Sequence, residues 1–461
     1  MVATRKKTRS AEEILASFAI GTDYKDLPLE AIEISKRAIL DLIGVAVAGS
    51  NEPPGKILLE EFRESRGRQE ASVIGGGFRT SVIEAVLVNG TMAHALDYDD
   101  ASGDWTGHPS AVLVPAILAM GEKCHSSGQD ILTAYVVGFE IGAKIGVGIG
   151  KPMYGRGWHN TSTLGTIASA AAAAKLLKLN LNKTKMAMGI AASMAAGLRE
   201  NFGTMTKPFH AGNAARNGNL AVLLAKRGFT SSEHWLTADS GFSKAFGADN
   251  NGLNEALAQL GKQYSVISPG IHLKYYSSCA GSHSPIEAVL KLRKKYSLKP
   301  EDIVGVNCAV ASYLPRMVIH HKPKTGLQGK FSLEYTVSVA LIDGAAFPPQ
   351  FTDARAKSAD IQNFIPKIKY HVLTELGDVA DTNLPVSIEI SLTNGKKVVI
   401  TENNPTGKPG NPMSPEQLRQ KFENCTRMLT SENRAQIIEL ISRMETLDNI
   451  DKLMDLLVAK S

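Results

Sequence analysis

The acidic run Asp97-Tyr98-Asp99-Asp100 lies a short loop ahead of Thr106-Gly107-His108-Pro109, with His108 eleven positions after Asp97. A loop that joins carboxylates to an imidazole can orient the ring and tune it for acid–base work near neutral pH. Two other chemistries fail on the residues. A calcium loop starting at Asp97 would carry Ser102 where glycine is needed and His108 where a bidentate glutamate is needed. A terpene-cyclase-type D-x-D-D acid would need an aromatic cavity, and only 6% of the residues are aromatic. The plainer alternative is a solvated loop whose aspartate caps a helix.

Other stretches add to this set. Gly155-Arg156-Gly157-Trp158-His159-Asn160-Thr161 opens an Ala-rich helix, where His159 could bind a carboxylate, move a proton or simply cap the helix start. In Thr206-Lys207-Pro208-Phe209-His210, Pro208 biases Lys207 toward an extended conformation just before a helix, a place suited to an anionic ligand. Lys274 precedes Cys279 and His283 at a strand-to-helix transition; Cys279 has no supporting Cys-His-Asn pattern and reads as a buried, inert thiol. Lys330 and Tyr335 flank Ser332, which is placed to cap another helix. Gly146-x-Gly148-x-Gly150 is not a dinucleotide loop, because no strand precedes it. Three histidines, three lysines, a tyrosine and an acidic loop, without metal-ligand spacing, describe a cationic pocket. Such a pocket suits a di- or tricarboxylate and the removal of a proton α to a carboxylate.

The elements that must position these groups are mostly helical. Capping at Ser10 and Glu13 starts one helix and Pro28 a second; helical periodicity then covers 81–96, 111–123, 129–149, 162–177, 183–198 and 211–226. Several of these runs are small and apolar all round, which marks buried helices in close approach. From residue 264 the pattern changes. Strands are expected over 264–274, 303–312, 386–393 and 397–401, with Asn394-Gly395 as a hairpin turn and helices over 284–295 and 332–342 between them. Helical periodicity returns over 415–424 and 432–459.

Composition narrows the function classes. With 461 residues, 43% hydrophobic and 21% charged, the chain can bury a large core and is not disordered. Arg5, Lys6, Lys7 and Arg9 supply four of the six net positive charges, so no basic stripe remains for nucleic acid; this tail reads as a frayed terminus. Four dispersed cysteines exclude a zinc ribbon and fit a reducing compartment. The longest uninterrupted apolar stretches, 111–120 and 167–174, are too short to span a bilayer. A cytoplasmic protein without membrane association is expected.

The motifs His94-Ala-Leu-Asp97-Tyr-Asp99-Asp100…His108-Pro109-Ser110, Thr206-Lys207-Pro208…Gly212-Asn213-Ala214-Ala215 and Phe331-Ser332-Leu333-Glu334-Tyr335, with Asp41-Leu-Ile-Gly44 near the start, resemble the MmgE/PrpD family along nearly the whole chain. That family includes 2-methylcitrate dehydratase, cis-aconitate decarboxylase and iminodisuccinate epimerase. The resemblance implies a mainly α fold: a large helical domain formed by 10–266 and 409–461, with a smaller α+β lid domain, 267–408, inserted. It also implies a homodimer and an enzyme without cofactor or metal, acting on a small di- or tricarboxylate. Carried over from the decarboxylase branch, the pocket would hold Asp97, His108, His159, Lys207, Lys274 and Tyr335. Lys207 and Lys274 would clamp carboxylates; His108, oriented by Asp97, would shuttle the proton; His159 or Tyr335 would serve the opposite face. Cys279 and His283 would lie on the substrate-binding side. Two departures weigh against cis-aconitate decarboxylation itself: Ala101 stands where that branch has threonine, and Cys279 where it has histidine. The loop before His108 is also one residue longer. The expected reaction is loss of water, as in 2-methylcitrate dehydratase. Epimerisation, decarboxylation and carboxylate binding without turnover are the alternatives.

Overall fold

The computed structural model describes residues 9–65, 67–376 and 385–458. Arg5, Lys6 and Lys7 of the basic tail, and Ala459 at the end of the last helical run, lie outside them.

Local signals set most helix starts. The Ser10 side chain accepts from the Glu13 N–H at 3.2 Å and opens Ala11–Gly21, while Pro28 immediately precedes Leu29–Gly49. Helices Val82–Ala95, Pro109–Cys124, Gly128–Ile145, Asn160–Leu176, Leu181–Ser193 and Thr206–Lys226 follow. Their small residues act as the composition implies. Val82–Ala95 and Thr206–Lys226 cross where Gly90 meets Gly212, and a Cβ on Gly90 would lie 2.7 Å from the Gly212 Cα. A Cβ on Gly212 would strike the carbonyl oxygen of Leu87, which is backbone and cannot swing away. Gly212→Ala is therefore expected to destabilise the protein by about 1–3 kcal/mol, read as a lower urea midpoint at unchanged slope.

Among the described residues two large apolar cores stand beside two small clusters. The larger draws on residues from Ala11 to Leu273 and again from Met413 to Leu457. The second runs from Tyr276 to Val398 and takes Tyr154 from the first stretch. A short hairpin, β1 (Ala71–Val73) with β2 (Phe78–Thr80), belongs to the larger core. The second is built on a four-stranded sheet of β3 (Ile303–Val310), β4 (Ile368–Val372), β5 (Val386–Leu392) and β6 (Lys397–Glu402), in the order β4-β3-β5-β6. β3 runs parallel to β4 and antiparallel to β5, with Val306 opposite both Ile368 and Ile390. The β5–β6 hairpin turns at Asn394-Gly395 as expected, Gly395 taking φ +79°. Helices His283–Tyr296 and Leu333–Asp343 cover the sheet.

Three expectations need correction, and one strand was not anticipated. The segment 264–274 is not a strand: it makes one helical turn over Val266–Gly270, then pairs only at His272 with Ala101. Pro269 and Gly270 interrupt what its alternation suggested. Lys207 is not extended but lies in the first helical turn, where Pro208 is tolerated because N–H groups there have no intrahelical acceptor. β4 went unread, since only Ile368 of its five residues is buried. Finally, one helical stretch, Gly128–Gly155, is long and apolar enough to cross a membrane, but 89% of its apolar window is buried inside the protein, as in a core helix.

Candidate active site

Helix Val82–Ala95 hands on to Leu96, and Asp97 follows with φ +49°, a left-handed position that aspartate tolerates better than most side chains. One turn earlier, His94 Nδ1 lies 2.9 Å from Asp99 Oδ1. An ionised carboxylate only accepts, so Nδ1 carries the hydrogen and Nε2 is left to accept from Lys207 Nζ at 2.9 Å. Lys207 also donates to Asp97 Oδ1 at 2.7 Å. Lys274 Nζ donates to the same oxygen at 3.0 Å and to the Asp97 carbonyl at 2.9 Å. Two ammoniums from distant segments thus share one carboxylate.

The loop that follows is not solvated. Asp97, Asp99 and Asp100 are 2%, 0% and 1% exposed. Trp105, fully buried, plugs the loop into the large core, and its Nε1 donates to the Phe139 carbonyl at 3.0 Å. Gly142 and Gly146 leave room for the indole and for the Asp104 carbonyl, which gives the glycine run a packing role. Asp100 accepts from the Ser110 N–H at 3.1 Å and bonds the Ser110 hydroxyl, which in turn meets the Tyr135 hydroxyl at 2.7 Å. The Asp100 carbonyl lies 2.6 Å from His108 Nδ1. A carbonyl accepts only, so His108 carries its hydrogen on Nδ1. Its Nε2, 3.9 Å from Asp97 Oδ1, is an unprotonated acceptor.

His159 occupies the position before helix Asn160–Leu176, yet its side chain makes no capping bond. Its Nδ1 instead lies 3.1 Å from His210 Nδ1. Asp97, His108, His159, Lys207 and Cys279 line one cavity, about 660 Å³ counted out to its mouth. Phe202, Phe331, Tyr154, Tyr313 and Met317 add an apolar and aromatic side, and the loop from Ala101 to Gly107 adds another. Three buried atoms of lining residues, Asp97 Oδ2, Ser102 Oγ and His159 Nε2, have no hydrogen-bond partner among the described residues. A polar ligand would satisfy them.

Burial and charge set the protonation states. Burial opposes the charge on Asp97, yet Lys207 and Lys274 hold its carboxyl well below the usual carboxylate range. Burial likewise opposes the Lys274 ammonium, and Asp97 and Asp99 raise it above an ordinary lysine. Burial first, and the Lys274 charge second, push His108 well below the ordinary imidazole value; His159 is lowered by burial and then by Lys207. Burial takes His210 down to about 4, and pushes Asp100 up to about 8 and the Cys279 thiol up to about 11. At neutral pH the site therefore holds cationic lysines, an anionic Asp97 and uncharged imidazoles.

Three expected site residues do not line the cavity: Lys274, fully buried, is held behind it on Asp97 Oδ1, and two others stand elsewhere. The Tyr335 hydroxyl donates to the Gln350 carbonyl at 2.5 Å within the second core and does not line the cavity. His283 is also off the wall; its Nε2 lies 3.3 Å from the Ser278 carbonyl and its ring stands against His272. Tyr335 was placed by resemblance of its motif alone, and His283 by its nearness to Cys279. Sequence reading missed His94 and His210, which each sit one helical turn from a residue it did identify, Asp97 and Lys207. That three-residue spacing was the available signal.

Metal-donor atoms do cluster here. His94, Asp97, Asp99 and His108 bring one each within 4.8 Å of one another, as do His94, His108 and His159. Any ion using His94 Nε2 would compete with the Lys207 ammonium that already bonds it, and His94 Nδ1 is engaged by Asp99. The donor set fits lysine ammoniums better than a metal ion.

Residues 13–252 match the MmgE/PrpD N-terminal domain and residues 276–446 the MmgE/PrpD C-terminal domain. The chain is 28% identical to a cis-aconitate decarboxylase of Aspergillus terreus, over 94% of this chain and 92% of that protein. It is 28% identical to the cis-aconitate decarboxylase of Mus musculus, over 98% and 94%, and 26% identical to that of Homo sapiens, over 98% and 95%. The two domain matches cover most of the sequence and carry every residue placed in the cavity. The chain belongs to the MmgE/PrpD family.

Proposed function

We propose that this protein is a cofactor-independent lyase that removes a proton α to a carboxylate of a small di- or tricarboxylate and expels water. The observation that carries the reading is His108: neutral, tethered through Nδ1, with a free Nε2 facing a cavity that Lys207 also lines. In this reading Lys207 meets a substrate carboxylate. His108 Nε2 takes the α-proton, and the electron pair moves into that carboxylate as an enediolate held by the ammonium. Collapse of the enediolate forms the carbon–carbon double bond and breaks the β carbon–oxygen bond. The departing hydroxyl, hydrogen-bonded to His159 Nε2, takes the proton that His108 has just acquired and leaves as water, so both imidazoles end uncharged. The 276–398 unit, which contributes Cys279, Tyr313, Met317 and Phe331 to the wall, acts as the lid.

The curated relatives favour a second reading, loss of CO₂, since their names give that activity across nearly their whole length. An uncharged His108 supports proton removal as the first step, whereas protonating a carbanion after CO₂ loss calls for an acid. Incubation with citrate, 2-methylcitrate, cis-aconitate and amino-dicarboxylates in D₂O, followed by proton NMR, separates the outcomes. We expect a vinylic or fully substituted alkene product from a hydroxy acid. Loss of one carbon would replace dehydration by decarboxylation, and exchange without skeletal change would replace it by epimerisation. Binding of these acids with no conversion of any would sink the lyase reading altogether.

A further inference from the structure

Three successive carbonyl oxygens at the end of helix Val82–Ala95 are each held by a different buried lysine. Lys330 Nζ donates to Leu96 O at 2.5 Å, Lys274 Nζ to Asp97 O at 2.9 Å and Lys421 Nζ to Tyr98 O at 2.8 Å. Lys421 comes from helix Pro415–Cys425, reaches the Lys274 carbonyl at 2.7 Å and closes an ion pair with Asp41 at 2.8 Å. Its ammonium also stands 3.9 Å above the Tyr98 ring. Lys330 comes from the second unit, just ahead of helix Leu333–Asp343. Neither Lys330 nor Lys421 lines the cavity.

Burying an ammonium is costly, and a carbonyl at a helix end can be satisfied by water or by a backbone N–H instead. Three such charges on three adjacent peptide groups need another explanation. The residue they bracket is Asp97, whose φ of +49° is an unusual conformation for a non-glycine residue. With the carbonyls on both sides held, the backbone at Asp97 is fixed while its carboxylate points to Lys207 and Lys274. We propose that Lys330 and Lys421 are positioning residues that hold Asp97 in this left-handed turn and so aim the ammonium of Lys207. The inference rests on the proposed role of the Asp97–Lys207–Lys274 group. It adds that the group is correctly aimed only when the 276–398 unit and helix Pro415–Cys425 are both docked against the loop.

Two variants test it. Lys330→Met leaves the Leu96 carbonyl bonded to the Ser277 hydroxyl at 3.0 Å, so no acceptor is orphaned. Lys421→Met alone would strand Asp41, so it is combined with Asp41→Asn. Misplacing a reacting group by about 1 Å can cost about 10²-fold in rate, whereas carboxylate binding to a flexible ammonium tolerates more. Each variant is expected to lose at least about tenfold in kcat per folded molecule while KM changes less than about threefold. Crystal structures of both should show the Asp97 carboxylate moved away from Lys207. A kcat within about twofold of wild type, or a loss that only tracks the unfolded fraction, would overturn the proposal. If wild-type protein turns over none of the acids, the lyase reading has failed on its own account and the crystallographic readout decides alone: Asp97 unmoved in both variants would refute the clamp.

Discussion

Replacing His108 by alanine is expected to lower kcat/KM by about 10²–10⁴-fold, the usual worth of a positioned general base, with circular dichroism unchanged. The ring is held by one hydrogen bond, from Nδ1 to the Asp100 carbonyl, and its loss removes no ion pair on which the fold depends. The pH profile carries a second expectation. A base works in its deprotonated form, and this imidazole sits well below the ordinary histidine value, first through burial and then through the Lys274 charge. Activity of the wild-type enzyme should therefore stay level as pH falls through about 6.5, the ordinary value, and drop only further into acid. A variant that keeps near-wild-type turnover, or a wild-type acid limb centred at 6.5, would assign the base elsewhere.

Asp97→Asn should strike both activity and stability. It leaves Lys207 and Lys274 buried without the carboxylate they share. Removing one partner of a buried ion pair typically costs about 3–5 kcal/mol, so chemical denaturation at pH 7 should show a deficit of that order. The sign of its pH dependence follows from the shifts. The Asp97 carboxyl is depressed in the folded state, so its contribution is complete above the unfolded value near 3.9 and fades as pH falls toward the folded one. Lys274 is raised, so its contribution is complete below its unfolded value near 10.4 and is lost only above that. The gap between variant and wild type should be flat across roughly pH 5–9 and close in strong acid. Turnover should fall by at least about 10², because the two ammoniums lose their common aim. An isostable Asp97→Asn protein would mean that the two lysines are held by something else.

Much of this site was legible beforehand because its residues sit at discontinuities that a sequence displays. Asp97 and His108 bracket a loop between two strongly periodic helices, and His159 and Lys207 stand at helix starts. The large helical body was legible for the same reason: buried helices rich in alanine and glycine have few other ways to pack. What stayed hidden was hidden by burial. His94 lies inside an apolar helix and reads as core until its Nδ1 is seen against Asp99. Trp105 reads as a loop aromatic, and only the notch at Gly142 shows that it anchors the acidic turn. The segment before Lys274 alternates in residue type like a strand, yet Val266, Ile271 and Leu273 all pack into the larger core. Pro269 and Gly270, the latter at φ +92°, break the strand that this alternation suggests. Tyr335 shows the opposite error, since a matching motif says where a residue sits in a helix but not which way its hydroxyl points.

The Asp41–Lys421 pair has a consequence for how the enzyme comes into being. Its members are 380 positions apart, and translation at about 5–20 residues per second puts roughly 20–80 s between their emergence from the ribosome. Through that interval a nascent polypeptide can bundle its early helices, but Asp41 waits without its counter-ion and the acidic turn lacks its last tether. Catalytic competence thus arrives after the bulk of the body has collapsed, and a stalled or clipped chain lacking this late segment would be shaped like the enzyme while remaining idle.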